Sequence, residues 1–338
     1  MKVAINGFGR IGRAFFKVAL EKPEIEVVAV NDLGDINNMA YLLKYDTAYG
    51  RSGLDVKVEG TNLIVNGKTV AFVSVKDPAA LPWKDLGVDI VVESTGLFTS
   101  AEKAQAHITA GAKRVVVSAP IKDADDAVVK GVTALMGVNE AHIANATVTS
   151  NASCTTNAAS PLISILHEKI GIEKALLNTV HAYTASQTLV DGPSKKDWRE
   201  GRAAAQNLVP SSTGAAIATT KVITDLAGKF DGISIRVPVV TGSIVDITFV
   251  AKRDTTAEEV NSILKEAAAD PRWSPIFAVT EEPLVSKDIV GSHYASIADL
   301  NFTRVVGGNL VKVLGWYDNE MGYTYTLVRH VIAAGKLI

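Results

Sequence analysis

The chain has 338 residues, enough for two domains of ordinary size. Hydrophobic residues make up 47% and charged residues 21%, with a formal net charge of −2, which excludes intrinsic disorder and an electrostatic grip on nucleic acid. A single cysteine excludes an intrachain disulfide and a thiolate metal cluster, so no metal site is expected and nothing demands an oxidising compartment.

The opening residues, MKVAING, lead straight into a strand with no apolar leader. No later apolar run approaches the length of a bilayer span. The expectation is a soluble, cytoplasmic chain without a membrane partner.

KVAING is a short apolar run ending in glycine. IGRAFFKVALEK follows with helical spacing of Ile11, Phe15, Val18 and Ala19, and EVVAVND reads as a second buried strand. Strand, helix and strand make a βαβ unit of a parallel sheet. Its first turn is GFGRIG, a G-x-G-x-x-G at Gly7, Gly9 and Gly12. The first glycine permits the tight turn, the second lets a pyrophosphate approach the backbone, and the third lets helix and strand pack closely. A glycine-rich turn alone is weak evidence. Asp32 strengthens it, because it ends the second strand twenty residues after Gly12, where an acid reaches the ribose hydroxyls of a dinucleotide. The other reading of Asp32 is a loop or capping carboxylate. Its charge would repel a 2′-phosphate, so NAD is expected over NADP.

Further along, TNLIVNGKTVAFVSV reads as a hairpin turning at Asn66-Gly67, an antiparallel insertion. DIVVESTG and RVVVSAP are buried strands separated by the helical SAEKAQAHITAGA. ATVTSNASC is one more strand and delivers the chain to Cys154. No repeat or flexible linker interrupts the sequence, so the change of domain is expected near residues 150–154.

After Cys154, TTNAASPLISILHEKIG reads as a helix with Ser153, Thr155 and Thr156 as capping residues. Pro161 lies inside it and is expected to kink or restart it. A thiol at a helix start meets unpaired N–H groups and the positive end of the dipole, which lower its pKa and can hold an oxyanion. A free cysteine is also often mere core filling. Here the polar neighbours favour a reactive thiol, and such a nucleophile needs a base. Of six histidines, His107 and His167 fall in helices, His142 and His293 in polar loops, and His330 near the C-terminus. His181 ends the apolar strand LLNTVHAYTAS, as Cys154 follows another. Spacing alone does not bring the two together, and a bonded strand-edge histidine is the alternative.

Together, INGFGRIGR, ASCTTN, HAYT, DGPSKKDWREGRAAAQNLVPSSTGAA and WYDNEMGY resemble the phosphorylating (type I) glyceraldehyde-3-phosphate dehydrogenase family from end to end. The resemblance implies an α/β chain: a Rossmann NAD-binding domain over 1–153, joined by a C-terminal helix at 318–338, and an α+β catalytic domain with a mixed sheet over 154–317. It implies NAD as cofactor, glyceraldehyde 3-phosphate and inorganic phosphate as small-molecule partners, and a homotetramer. Cys154 matches the nucleophile and His181 its activating base. Gly7, Gly9, Arg10, Ile11, Gly12, Asp32 and Ser118 match cofactor contacts. Lys76 stands where an arginine near the adenine is common, Asn319 matches the residue orienting the nicotinamide amide, and Tyr323 packs nearby. Ser153, Thr155, Thr213 and Gly214 match the inorganic-phosphate side, and Thr184, Arg199 and Arg236 the substrate phosphate, with Arg236 serving both anions. Unaided, Arg236 in ISIRVPV is a buried-strand charge needing a partner. Ala158 departs from the family pattern, replacing a second cysteine that the chemistry does not need. Leu33 and Pro193 match NAD-preferring members. An erythrose-4-phosphate dehydrogenase, which hydrolyses the thioester, is the nearest alternative, and intact SSTGAA and SIRVP favour the phosphorylating enzyme. A non-catalytic NAD- or RNA-binding scaffold is the other alternative, disfavoured by the intact Cys154, His181, Arg236 and Asn319.

Overall fold

The computed structural model describes residues 1–123, 127–195 and 197–338. In its first half, β1 (Lys2–Asn6), α1 (Arg10–Ala19) and β2 (Glu26–Asn31) form the expected βαβ unit, with β1 and β2 parallel. Then follow α2 (Ile36–Lys44), a small hairpin of β3 (Tyr45–Asp46) and β4 (Gly50–Arg51), and the strands β5 (Val56–Glu59), β6 (Asn62–Val65) and β7 (Lys68–Val73). After these come β8 (Ile90–Glu93), α3 (Ala101–Thr109), β9 (Arg114–Val117), β10 (Val132–Thr133) and β11 (Val148–Ser150). The sheet order is β10-β11-β9-β8-β1-β2-β7-β6-β5. Every pairing from β10 to β7 is parallel, and β6 alone runs in the opposite direction, pairing antiparallel with both β7 and β5. Strands β8 and β9 are buried at all four positions, as a sheet covered on both faces requires.

The Asn66-Gly67 turn has positive φ at both residues (49° and 78°), which splices β6 to β7 tightly. The hairpin is nevertheless not a separate insertion. Its second strand, β7, pairs in parallel with β2 and so belongs to the nucleotide sheet. Strand order diverges between the parallel neighbours β1 and β8, from which the following strands are added outward on either side. That switch point opens the crevice in which such sheets bind ligands.

The second half starts with α4 (Cys154–Ile170), β12 (Ile172–Ala182), β13 (Val209–Ser212), α5 (Ala215–Thr220), β14 (Phe230–Val237) and β15 (Ser243–Ala251). It continues with α6 (Ala257–Ala269), β16 (Phe277–Thr280), β17 (Ser296–Asp299), β18 (Arg304–Val306), β19 (Leu310–Tyr317) and α7 (Met321–Gly335). The sheet order is β13-β14-β12-β15-β19-β17-β16, with β18 against β19, and its pairings are mixed. Burial alternates along β15 and β19, so one face is covered and the other is open.

Two compact units result, Met1–Ala152 with Thr324–Ile338, and Ser153–Tyr323. Pro161 does not restart α4, which runs unbroken for 17 residues. Thirteen of those residues are buried, and tertiary packing on this scale overrides the hydrogen bond that the proline cannot make. Gly315 on β19 shows how close α4 lies to its sheet: a Cβ there would stand 2.7 Å from Leu162 Cδ1. None of the described helices is long and apolar enough to cross a membrane.

Candidate active site

Strand alternation builds this site. On the covered face of the second sheet, Thr179 and His181 point the same way from β12, Arg236 from β14, Ser243 from β15 and Tyr317 from β19. His181 lies directly opposite Arg236 in register, and Ser243 opposite Tyr317. Helix α4 begins over this corner, capped by Ser153, whose Oγ accepts the Thr156 N–H at 3.1 Å. Its first residue is Cys154, and Sγ stands 3.4 Å from His181 Nε2.

The ring orientation follows from its other nitrogen. His181 Nδ1 is 2.6 Å from the Ala182 carbonyl, which can only accept, and 2.7 Å from Arg236 Nη1, which can only donate, so the two contacts favour opposite tautomers. With the proton on Nδ1, Nε2 turns its lone pair to the thiol. Arg236 Nη1 also donates to the Ala182 carbonyl at 3.3 Å. Burial, and then the neighbouring guanidinium, hold His181 down to about 4. Burial likewise pushes the Cys154 thiol above its ordinary value, opposed by Arg236 and by the backbone N–H groups at the start of α4. The expectation of a lowered thiol pKa is therefore corrected: the helix start acts as anticipated, but desolvation outweighs it.

Tyr317 was not singled out from sequence. Its hydroxyl shares hydrogen bonds with Thr155 Oγ1 (2.9 Å) and Thr179 Oγ1 (2.8 Å), and its ring meets His181 edge-on at 6.0 Å. Burial pushes this phenol up, so it stays neutral. A tyrosine two residues before Asn319 in WYDNEMGY gives no sequence hint of a tie to α4, because the partner is 162 residues away.

Asn319 is oriented by its surroundings. Its Oδ1 accepts from Ser243 Oγ (2.9 Å) and the Gly242 N–H (3.1 Å), with Thr241 Oγ1 at 3.3 Å. Two donors on the carbonyl oxygen fix which end of the amide is which. Buried Asp318 holds the turn by accepting from Thr241 Oγ1 and from the N–H groups of Gly291, Glu320 and Met321. Tyr323 is buried in the first turns of α7.

The other anion candidates scatter more widely. Ser153 uses its hydroxyl as the helix cap, and the Thr155 hydroxyl is hydrogen-bonded with that of Tyr317. Thr213 Oγ1 accepts from the Ala215 N–H at the start of α5, and Gly214 faces open space, with nothing within 4 Å of a Cβ placed there. Thr184 Oγ1 bonds Ser186 Oγ, and Arg199 pairs with Asp197 at 2.8 Å on an exposed turn. Arg236 Nε is buried without a hydrogen-bond partner. Lys196, within DGPSKKDWREG, lies outside the described residues.

In the first unit, the glycine turn has the shape a dinucleotide needs. Gly7 has φ +94°, and a Cβ there would lie 2.7 Å from the Thr95 nitrogen. A Cβ on Gly12 would lie within 2.1 Å of the Gly7 carbonyl, whereas one on Gly9 would meet nothing within 4 Å. Gly9 is also the N-cap of α1 and offers no side-chain cap, so no side chain at that position occupies the helix start. Asp32 accepts from the Phe8 N–H (2.7 Å) and the Gly34 N–H (2.8 Å), fixing its carboxylate beside the turn. Ile11 lies in the first turn of α1, and Ser118 follows β9 at the same sheet edge. Arg10 pairs with Asp46 at 2.7 Å, and Lys76 is exposed. Among the described residues, no group of three or more acidic, histidine or cysteine side chains could hold a metal.

Comparison with known proteins settles the lineage. The model of the glyceraldehyde 3-phosphate dehydrogenase NAD binding domain matches residues 1–101, and that of the C-terminal domain of the same enzyme matches residues 153–319. The chain belongs to the glyceraldehyde-3-phosphate dehydrogenase family. It is 49% identical to glyceraldehyde-3-phosphate dehydrogenase of Geobacillus stearothermophilus, with 97% of this chain and 96% of that one covered. It is also 49% identical to glyceraldehyde-3-phosphate dehydrogenase 1 of Bacillus subtilis over the same shares, and 48% identical to glyceraldehyde-3-phosphate dehydrogenase B of Aspergillus oryzae over 99% of each. Membership makes NAD the cofactor of the first unit, and the open space before Gly9 fits its pyrophosphate.

Proposed function

We propose that this chain oxidises D-glyceraldehyde 3-phosphate and phosphorylates the product to 1,3-bisphosphoglycerate, through a thioester on Cys154. The observation that carries the reading is the 3.4 Å approach of Cys154 Sγ to His181 Nε2 at a helix start. The thiol proton passes to Nε2 as sulfur bonds the aldehyde carbon, and Nε2 hands that same proton to the former carbonyl oxygen to give a thiohemiacetal, which frees His181 to act again as base. His181 then removes that hydroxyl proton as the carbon loses its hydride, leaving the thioester. Bound NAD supplies the hydride acceptor. A phosphate oxygen next attacks the thioester carbon, the C–S bond breaks, and the thiolate leaves.

Arg236 is proposed to serve both anions, supported by its unpartnered Nε. An anion there would also offset the charge that depresses His181, so substrate binding would improve the base. Thr184 and Arg199 are assigned to the substrate phosphate, and Ser153, Thr155, Thr213 and Gly214 to inorganic phosphate. Gly7, Gly9, Arg10, Ile11, Gly12, Asp32, Lys76 and Ser118 are assigned to NAD. Asn319, whose oxygen is already taken up, would present its amide N–H to the nicotinamide, with Tyr323 beside it. A homotetramer in the cytoplasm completes the reading.

The deciding experiment follows NAD reduction with glyceraldehyde 3-phosphate, with and without phosphate or arsenate. Turnover is expected to require one of the two anions. Sustained phosphate-independent oxidation, or a preference for erythrose 4-phosphate, would overturn the phosphorylating assignment.

A further inference from the structure

Five buried polar side chains run as one chain through the first unit. The Trp83 indole N–H donates to His107 Nδ1 at 3.0 Å, and His107 Nε2 lies 3.1 Å from Glu93 Oε2. Asn6 Nδ2 donates to Glu93 Oε2 at 2.6 Å, and Asn31 Nδ2 to Asn6 Oδ1 at 2.6 Å. The Asn31 amide then makes two bonds to the backbone of Val75, each 2.9 Å. None of the five side chains belongs to the cysteine chemistry.

The chain has a direction. An indole nitrogen can only donate, so His107 Nδ1 accepts and its single proton sits on Nε2, aimed at Glu93. The other carboxylate oxygen, Oε1, accepts from the Thr95 N–H (2.8 Å) and Thr95 Oγ1. Four donors thus converge on Glu93, which is 1% exposed.

Apolar side chains would fill this core at less cost than a buried carboxylate. The network's location supplies a reason for keeping it. Each segment it ties stands next to the glycine turn or to a residue assigned to the cofactor: Asn6 precedes Gly7, Asn31 precedes Asp32, and Val75 precedes Lys76. Glu93 holds Thr95, whose nitrogen is the atom that the absent Gly7 side chain would strike. The Gly7 N–H itself donates to the Asn31 carbonyl at 2.8 Å. Fully satisfied buried networks rigidify what they join. We infer that Glu93, oriented by His107 and Trp83, is a positioning residue that sets the spacing of the dinucleotide cradle. The inference rests on the assignment of NAD to this sheet edge.

Glu93→Gln keeps the size but turns an NH2 donor toward donors. Calorimetry on the NAD-free protein is expected to show NAD affinity reduced about tenfold, the equivalent of one buried hydrogen bond. KM for NAD should rise while kcat at saturating NAD and the alkylation rate of Cys154 without NAD stay near the parent values. His107→Gln, which can still donate to Glu93, should retain most of the affinity, and His107→Leu should lose it. Trp83→Phe, which removes one donor and little volume, carries the test if Glu93→Gln fails to fold, with a severalfold loss expected. Unchanged NAD affinity in a folded Glu93→Gln or Trp83→Phe protein overturns the inference, as does a loss spread equally over kcat and Cys154 alkylation. If the parent itself fails to bind NAD, the cofactor assignment falls first.

Discussion

In the proposed mechanism Cys154 depends on His181, Arg236 and Tyr317, which the chain supplies from different strands, and the part of the thiol can be separated from that of its base. Replacing the thiol by Cys154→Ser should abolish oxidation, because no other residue forms a thioester, while NAD affinity measured by calorimetry stays within about twofold of the parent. Equal loss of both would mean a misfolded protein or a misassigned nucleophile. His181→Asn keeps a polar group but removes the imidazole facing Sγ, so turnover should fall by roughly 10²–10⁴ and iodoacetamide should alkylate Cys154 more slowly at neutral pH. An unaltered alkylation rate would detach His181 from the thiol. Much of this site was legible in the residues, since a free cysteine among capping residues and a histidine at a strand end are both anomalies that ask for chemistry. The sum of forces on the thiol was not legible. Burial depends on what packs over α4, and neither Tyr317 nor the covering strands can be weighed from local sequence.

At the scale of elements, the glycine turn offers a contrast between two positions that look alike in sequence. A Cβ on Gly12 would strike the Gly7 carbonyl, backbone that cannot move without shifting β1 from α1. On Gly9 the same atom would enter open space. Gly12→Ala should therefore lower thermal stability, by about 1–3 kcal/mol if the turn yields as overpacked cores do, and weaken NAD binding with it. Gly9→Ala should leave the melting temperature near that of the parent yet weaken NAD binding by crowding the pyrophosphate. Equal melting losses for the two would refute the separation of roles. The βαβ unit itself was legible, because its apolar runs, turn glycines and helix period all agree. Two features escaped. Strand β7 joins the parallel sheet because a long-range pairing to β2 fills its other edge, and hairpin chemistry around Asn66-Gly67 says nothing about that edge. Pro161 breaks a local rule, but α4 is buried enough to tolerate it.

At the scale of the whole molecule, the surface of the catalytic sheet argues for assembly. Leu176, Ile233 and Leu310 share its open face, with 67%, 55% and 43% of their surface exposed in the single chain. Between β12 and β13, the described residues of 183–208 form only two short 3₁₀ turns, Trp198–Gly201 and Ala204–Gln206, and expose Leu189, Val190, Trp198 and Leu208. This segment is not loose. Thr188 Oγ1 donates to the Gly201 carbonyl, and Arg202 pairs with Asp191, so the apolar side chains are presented on a fixed frame. A sheet face and a braced loop that both expose apolar side chains are surfaces of the kind that a partner covers. Closed two-fold symmetry would bury each against its own copy and leave no open edge for a filament. The expected assembly is a homotetramer of roughly four times the 35.7 kDa chain, read by light scattering. Ile233→Lys with Leu176→Glu, which puts charge on the open face without touching the covered one, should yield smaller folded species. Trp198→Ser should weaken assembly through the other patch. NAD should shift dilution toward the tetramer if it binds that state more tightly, by an amount that follows its concentration over Kd. A fully active monomer in the parent protein, or a tetramer indifferent to charge at 176 and 233, would remove the open sheet face from the interface.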